Sequence, residues 1–496
     1  MRPVGTAAEV RALDAALIDG LGLPGVAVME QAARGAADVI RAHHADAARR
    51  GVVVVCGPGN NGGDGWGVAR WLAGWGFPVA VWPVAQSWTG DANVLRGVAK
   101  KAGVREVDGL GDAGLVVDAV FGTGLTRPVE GRYADVLRAI DAHPAPVVAL
   151  DLPSGLCADT GAALGFAVRA TTTVTFGWFK RGLFAGVGRE RRGALHLVDI
   201  GLGVVEKPAG AALIEASDVA GWWPRRGVTA HKGTSGHLLV CAGSEAMAGA
   251  AVLACQGALA AGAGLVTLAT PRAALVRLGS LPPEVMVAVS GDATFDAPPD
   301  AVFARATAIV AGPGLGDVGE GGRAFLSALW AADPRPVLFD ADALPFAVGG
   351  GPGPRLVTPH PGEAARMLGV TTADVEADRF GAVSRLSVGR VALLKGANTL
   401  VDETGRPTAI IGAGDPVLAT GGSGDVLAGV AGALLARGLG AFDAARAAAW
   451  VHGRAGERLA GREGIRASDV AAEVPEVVRE LLGAESIFGA KASASR

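Results

Sequence analysis

Val52-Val53-Val54-Val55-Cys56 runs without a break into Gly57-Pro58-Gly59-Asn60-Asn61-Gly62-Gly63-Asp64-Gly65, and a helix-period pattern follows. A short β-branched run, a glycine-rich turn and then a helix read as one strand–loop–helix step of a parallel sheet. Such a junction turns backbone N–H groups toward one point, an anion site that the helix dipole strengthens. Glycine is needed where the main chain must come close to a ligand. The segment matches the dinucleotide fingerprint at Gly57, Gly59 and Gly62, a weak match by itself. The full fingerprint also wants an acid at the end of the next strand to hold a ribose. Here that strand runs out in Pro83-Val84-Ala85-Gln86. An ordinary hydride-transferring domain is therefore disfavoured, and no Gly-Lys-Ser/Thr follows to make a Walker loop.

The same alternation continues on either side. Helices are expected at residues 6–18 and 26–42, then at 65–75, 92–101 and 133–142. Strands are expected between them at 52–56, 79–82, 115–120, 147–150 and 172–176. A second series of strands follows at 237–241, 265–269, 308–310, 337–340, 356–358 and 391–394. Its helices are expected at 247–261, 321–330, 362–368, 374–387, 425–436 and 442–459. The fold class is α/β, with parallel sheets covered by helices. The join falls within 205–228, which holds Pro208, Pro224, Arg225 and Arg226.

The length of 496 residues fits two or three domains, and 50% apolar residues can fill their cores. A net charge of −3 gives no signal for nucleic acid or an anionic membrane. The 76 glycines, about twice the usual share, cluster after apolar runs and mark tight loops at strand ends. Cys56, Cys157, Cys241 and Cys255 match no zinc spacing and are read as reduced thiols of a cytoplasmic protein. No signal segment is expected at the N-terminus. Residues 246–271 carry no charge, but Gly249, Gln256, Gly257, Gly262 and Gly264 interrupt them. They read as a buried Ala-rich helix, a turn and a strand, not a membrane span.

Two later strands end in polar turns. Asp118 leads into Phe121-Gly122-Thr123-Gly124-Leu125, and Asp151 stands in Leu150-Asp151-Leu152-Pro153-Ser154-Gly155. Carboxyl ends of parallel strands share one edge, where ligands bind. Asn60, Asn61, Asp64, Asp118, Asp151 and Ser154 are thus expected to converge. The oxygens of Asn61, Asp118 and Ser154 suit a hard monovalent or divalent cation. The plainer alternative is that Asp118 and Asp151 cap turns and that Asp64 is a helix N-cap.

These motifs resemble the N-terminal epimerase domain of NAD(P)H-hydrate repair proteins. The resemblance covers residues 1–213 and implies a Rossmann-like three-layer αβα domain. It implies a potassium ion held by Asn61, Asp118 and Ser154. It implies contacts to the hydrated dinucleotide from Asn60, Asn61, Gly62, Gly63, Asp64, Gly122, Thr123, Gly124, Leu125, Thr126, Arg127, Pro128 and Asp151. Asp151 is assigned as the acid/base that helps open and re-close the C6 stereocentre, which requires it within hydrogen-bond reach. The family's Met-Glu-Asn-Ala-Gly stretch reads Met29-Glu30-Gln31-Ala32-Ala33 here.

In the second half, Gly312-Pro313-Gly314-Leu315-Gly316 follows a strand, and Thr358-Pro359-His360-Pro361-Gly362-Glu363 ends another. Lys395-Gly396-Ala397-Asn398-Thr399 puts one of only seven lysines at a strand end. Gly421-Gly422-Ser423-Gly424-Asp425 opens a helix. The amides of Gly422, Ser423 and Gly424 can form an anion hole, with Asp425 beside it to take a hydroxyl proton. That is kinase logic without a Walker loop. The alternatives are a loop role for His360, an N-cap role for Asp425, and a simple tight turn for Gly312–Gly316. His43, His44 and His231 read as surface residues.

These segments resemble the ribokinase-like superfamily and, more closely, the ADP/ATP-dependent NAD(P)H-hydrate dehydratases. The resemblance implies a ribokinase-like α/β domain over 228–490, a linker over 214–227 and a disordered tail over 491–496. It implies nucleotide contacts from Lys395, Gly396, Ala397, Asn398, Thr399 and Gly424. It implies hydrate contacts from Ala250, Gly316, His360 and Asp425, with Asp340 and Asp342 near the phosphates. ADP with Mg²⁺ is the expected co-substrate, and Asp425 the base. Phosphorylating the C6 hydroxyl makes a poor leaving group a good one, so elimination restores the dihydropyridine. The expected protein is a cytoplasmic homo-oligomer that repairs hydrated NADH and NADPH and binds neither nucleic acid nor membrane. A ribokinase-like small-molecule kinase with an N-terminal regulatory domain is the competing reading. A catalytically silent N-terminal binding module is another.

Overall fold

Alternate residues of Val52–Cys56 belong to two separate cores, so this sheet is covered on both faces. Val52, Val54 and Cys56 pack with residues of helices Gly25–His43 and Asn60–Gly74. Val53 and Val55 pack with Val136, Leu137 and Ile140 of helix Gly131–Ala142. Side chains on a strand alternate in direction, so a wholly apolar strand feeds both layers. This is the expected three-layer arrangement.

The computed structural model describes residues 1–205, 208–227, 229, 231, 235–279 and 281–483. The chain divides into a unit of Arg2–Ala211 and a unit formed by Met1 and the chain from Ala212 onward. The segment 214–227, expected as a linker, carries helix Ala216–Trp222 and the buried Trp223. Pro224, Arg225 and Arg226 mask the apolar side of that helix in the sequence. The expected tail, 491–496, lies outside the described residues.

In the first unit the spatial order is Arg105–Glu106, Val79–Pro83, Val52–Cys56, Leu115–Ala119, Val147–Leu150, Thr172–Phe176 and Ala194–Val198. Every pairing in this sheet is parallel. The chain leaves Val52–Cys56 in one direction and returns to pair Leu115–Ala119 on its other side. The order therefore reverses between these two strands, and a crevice opens at their carboxyl ends. The glycine-rich run from Gly57 and the turn after Asp118 leave the sheet at that point, and Asp151 leaves the next strand over.

The helix after Val52–Cys56 begins at Asn60, five residues before the expected start. Asn, Asp and Gly favour helices poorly, so periodicity did not reach back this far. Packing overrides propensity here. A Cβ on Gly62 would lie 2.0 Å from the Gly57 carbonyl oxygen, and one on Gly65 2.6 Å from Ala119 Cβ. Asp64 consequently sits inside the helix, and the N-cap position belongs to Gly59.

The second unit repeats the plan. Parallel strands stand in the order Val285–Val289, Leu265–Thr270, His237–Cys241, Ala308–Ala311, Val337–Phe339, Arg355–Val357 and Val391–Leu394. Their order reverses between His237–Cys241 and Ala308–Ala311. An antiparallel hairpin that the sequence reading missed, Thr399–Asp402 and Thr408–Ile411, extends the sheet. The expected helix over 374–387 is two, Thr372–Ala377 and Arg379–Leu386. Asp378 breaks it, accepting the Gly381 N–H at 2.9 Å as the cap of the second.

Helix Ser423–Ala436 is buried almost all round, against helix Ala248–Ala260. The uncharged stretch is thus the expected core helix and strand. Among the described residues no helix is long and apolar enough to cross a membrane. The two helices meet main chain to main chain: a Cβ on Gly429 would lie 2.0 Å from the Ala254 carbonyl oxygen, and one on Gly257 2.3 Å from that of Val426. Gly429→Ala should therefore force these helices apart and cost about 1–3 kcal/mol by overpacking. A lower melting temperature of the second unit would record it, and an unchanged one would refute this account of the contact.

Candidate active sites

The first site forms where Val52–Cys56 and Leu115–Ala119 end. Gly57 passes so close to the next strand that a Cβ would lie 2.0 Å from the Val120 carbonyl oxygen. With the helix starting at Asn60, Asn61 is drawn inward to 7% exposure, and neither atom of its amide has a hydrogen-bond partner. Asp118 is fully buried. It accepts Ser154 O–H at 2.6 Å, Ser154 N–H at 2.8 Å and Val120 N–H at 3.3 Å. Burial pushes its carboxyl up to about 6, while the bonds from Ser154 and Val120 pull the other way. Phe121 N–H in turn donates to Ser154 Oγ at 2.8 Å.

Asp151 leaves the next strand with φ 65°. For a non-glycine residue this is a sparsely populated conformation that its surroundings must hold in place. Its N–H donates to the Val174 carbonyl at 2.7 Å. One carboxylate oxygen accepts Thr123 N–H at 3.3 Å, and the other lies 2.5 Å from Lys180 Nζ. Gly122 makes room: a Cβ there would lie 3.0 Å from Asp151 Oδ2 and 3.4 Å from Asn61 Cγ.

A cavity of about 550 Å³ opens over these groups. Asn60, Asn61, Asp64, Gly122, Thr123, Gly124, Leu125, Thr126, Arg127 and Asp151 line it, as the sequence suggested. Gly62, Gly63 and Pro128 do not; Gly62 faces the Gly57 main chain, and Gly63 faces Met29 and Ala92. Asp118 and Ser154 lie outside its lining. Four charged lining groups were missed by the sequence reading: Arg11 and Asp14, on helix Ala7–Ala15, Asp91, and Lys180. Lys180 had a signal, being a rare lysine just past a strand end; Asp14 had none. Burial raises the Asp64 carboxyl well above its usual range, and the charges of Asp151 and Asp14 add to this against Lys180. Asp14 is raised as well, by burial first, with Lys180 opposing and Asp151 adding.

The second site forms around the helix Ser423–Ala436, whose N-cap, Gly422, has φ 90°. That left-handed turn suits glycine. Asp425 follows in the helix's first turn. Lys395 Nζ lies 2.9 Å from Asp340 Oδ1 and 3.8 Å from Glu363 Oε2. A Cβ on Gly424 would stand 3.3 Å from the same nitrogen. Four segments distant in sequence thus meet at one ammonium. Burial pushes Asp425 up to about 7, and Asp340, Asp342 and Glu363 reinforce this against Lys395. Burial alone would lower Lys395, but Asp340 and Glu363 hold it above the usual lysine value.

Gly316 N–H donates to Asp342 Oδ2 at 2.8 Å. Gly314 packs on Met247 and Ala250, and Gly316 on Met247 and Ser244, so this turn lies against the start of helix Ala248–Ala260. His360 caps helix Pro361–Leu368: its Nδ1 accepts Gly362 N–H at 3.0 Å, while Glu363 Oε2 accepts His360 N–H at 2.8 Å. Its ring is 52% exposed. In the 395–399 segment, Gly396 and Ala397 are exposed and Asn398 is buried. The buried Arg379, which the sequence reading missed, shapes this loop by donating to the carbonyls of Lys395 at 3.1 Å and Asn398 at 3.3 Å. Another omission was His452, whose Nε2 lies 3.0 Å from Ser423 Oγ. Burial pushes that imidazole down to about 4, and the Lys395 charge adds to this against a bond to the Ser423 main chain. Of the histidines read as surface residues, His231 is exposed, while His44 reaches Thr172 Oγ1 at 2.9 Å.

Comparison with known proteins finds relatives of both units. A family described as YjeF-related protein N-terminus matches residues 25–182, and one described as NAD(P)H-hydrate dehydratase matches 238–476. The bifunctional NAD(P)H-hydrate repair enzyme Nnr of Escherichia coli (strain K12) is 36% identical over 439 residues, 86% of this chain and 83% of its own length. A bifunctional NAD(P)H-hydrate repair enzyme of Leishmania braziliensis is 35% identical over 473 residues, 86% of this chain and 84% of its own. A crystallised ADP/ATP-dependent NAD(P)H-hydrate dehydratase from Bacillus subtilis is 26% identical, with a TM-score of 0.48, covering 55% of this chain and 99% of that one.

Proposed function

The chain belongs to the bifunctional NAD(P)H-hydrate repair enzymes, and from that premise we propose how each of its two sites works. The first unit interconverts the R and S forms of NAD(P)H-hydrate, and the second dehydrates the S form with ADP to give NAD(P)H, AMP and phosphate. The observation that carries this reading is that each unit places a carboxylate among glycines at the carboxyl edge of its parallel sheet: Asp151 just past Val147–Leu150 in one, and in the other Asp425, beside Asp340 and Lys395 at the ends of Val337–Phe339 and Val391–Leu394.

In the first site Asp151 is the proton carrier for the C6 centre. A proton leaves the C6 hydroxyl, the C6–N1 bond opens to an aldehyde, and reclosure on the opposite face returns the proton. The segment from Gly122 to Arg127 holds the substrate over it. Asn61, Asp118 and Ser154 would hold a potassium ion. The unpaired, buried Asn61 amide fits a hard cation because its oxygen is left unmatched, and Asp118 adds a buried carboxylate. Such an ion would supply fixed positive charge beneath the site. Epimerisation should therefore rise with added K⁺, and Asp118→Ala should lower the rate about 10-fold or more and remove that dependence. A rate indifferent to K⁺ in the unmodified chain would end the cation assignment.

In the second site the amides of Ser423 and Gly424 receive the phosphoryl group that is transferred. Asp425 takes the proton of the C6 hydroxyl as its oxygen bonds the β-phosphorus of ADP and AMP departs. The new phosphate then leaves C6 with its bonding electrons, C5 loses a proton, and the C5=C6 double bond is restored. Lys395, Gly396, Ala397, Asn398 and Thr399 face the nucleotide, and Ala250, Gly316 and His360 the hydrate. Asp340, Asp342 and Glu363 outnumber the single Lys395, a hard-oxygen surplus that suits Mg²⁺ brought by ADP. Four free thiols accord with work in the cytoplasm.

Asp425→Asn should abolish dehydration, by about 1000-fold or more, while nucleotide binding persists. Normal turnover by that variant would refute its role as base. The base must be ionised, and its carboxyl is raised to about 7. The dehydration rate should therefore climb with pH up to about 7 and level off above it, as a pH–rate profile would record.

A further inference from the structure

Lys180 is 1% exposed on the short strand Phe179–Lys180, yet its ammonium lies on the wall of the first cavity. Taking an ammonium out of water is costly unless every proton finds a partner. Its partners are Asp151 Oδ1 at 2.5 Å, Thr175 Oγ1 at 2.9 Å and the Phe176 carbonyl at 2.8 Å. All three donors are used, so none is left for a ligand. Lys180 therefore acts on the substrate only through what it holds.

We propose that Lys180 is the positioning residue of the epimerase site, the counter-ion that fixes the Asp151 carboxylate toward the C6 centre. This inference rests on the reading of Asp151 given above. Four carboxylates, of Asp14, Asp64, Asp91 and Asp151, line one cavity with one lysine and with Arg11 and Arg127. The lysine bridges only Asp151, while Asp14 and Asp64 are pushed toward their protonated forms. The carboxylate that the lysine holds is the one that faces Thr123 and the glycine-lined loop. The same bridge helps to hold Asp151 in its left-handed conformation. A structural ion pair at a strand end would give similar distances, so the test must separate positioning from packing.

The test uses the full-length chain, with dehydratase turnover as an internal measure of protein quality. Lys180→Ala should lower epimerase kcat by about 100-fold or more, with KM for the hydrate changed less than about threefold. Ethylammonium at tens of millimolar should restore at least about tenfold of the loss in Lys180→Ala, because the deleted head lines an open cavity. It should restore nothing in Asp151→Asn. Lys180→Met keeps the apolar stem and guards against misfolding; it should melt like the unmodified chain and be as inactive as Lys180→Ala. The proposal is overturned if Lys180→Met keeps normal epimerisation, if KM rises while kcat holds, or if ethylammonium fails to revive a folded Lys180→Ala chain. Full activity in Asp151→Asn would instead remove the acid/base reading on which the proposal stands.

Discussion

A parallel sheet whose strand order reverses cannot close its own carboxyl edge. The two crossovers flanking the reversal leave on opposite faces, and a crevice remains between them. Each unit of this chain is built on that constraint, at Cys56 and Ala119 in one and at Cys241 and Ala311 in the other. The glycine-rich turns make the crevice usable. Gly57 and Gly62 let the first helix start almost on the strand, which carries Asn61 and Asp64 into the interior. Gly257 and Gly429 seat the second unit's central helix, so that Gly422 and Asp425 come to the sheet edge.

The two sites share an electrostatic plan although their residues are unrelated. In each, several carboxylates are gathered in a poorly solvated space with one lysine: Asp14, Asp64 and Asp151 with Lys180, and Asp340, Glu363 and Asp425 with Lys395. Like charges cannot all ionise side by side in such a space. Each lysine bridges one carboxylate, Asp151 or Asp340, while Asp14, Asp64 and Asp425 are raised, and groups suited to giving and taking protons arise together. Among the described residues, the two non-glycine residues with positive φ are Asp151 and Ala341. One stands in each site, and the strain is local to the strand tips where chemistry is placed.

Much of this was legible in the chain before any coordinates. Apolar β-branched runs set strands such as Val52–Cys56, Val147–Leu150 and Thr172–Phe176, because a strand buried on both faces has few other compositions. The polar turns marked which strand ends carry chemistry, and Asn61, Asp118, Asp151, Ser154, Lys395 and Asp425 were all visible there. Less visible was anything whose conformation depends on a neighbour. The helix start at Asn60 contradicts local propensity and exists because main chain packs on main chain. The break at Asp378 and the hairpin after Lys395 were hidden for the same kind of reason.

Sequence alone determined the class of fold, the two-site plan and the carboxylates at the strand tips, since these follow from local pattern and from the shared edge of a parallel sheet. Tertiary structure decided which charges meet. Lys180 lies 29 positions beyond Asp151, and Lys395 55 positions beyond Asp340, yet each pair is in contact. No local pattern encodes such a distance; it is set by which strands the sheet makes neighbours and by the cost of burying an ammonium without a partner.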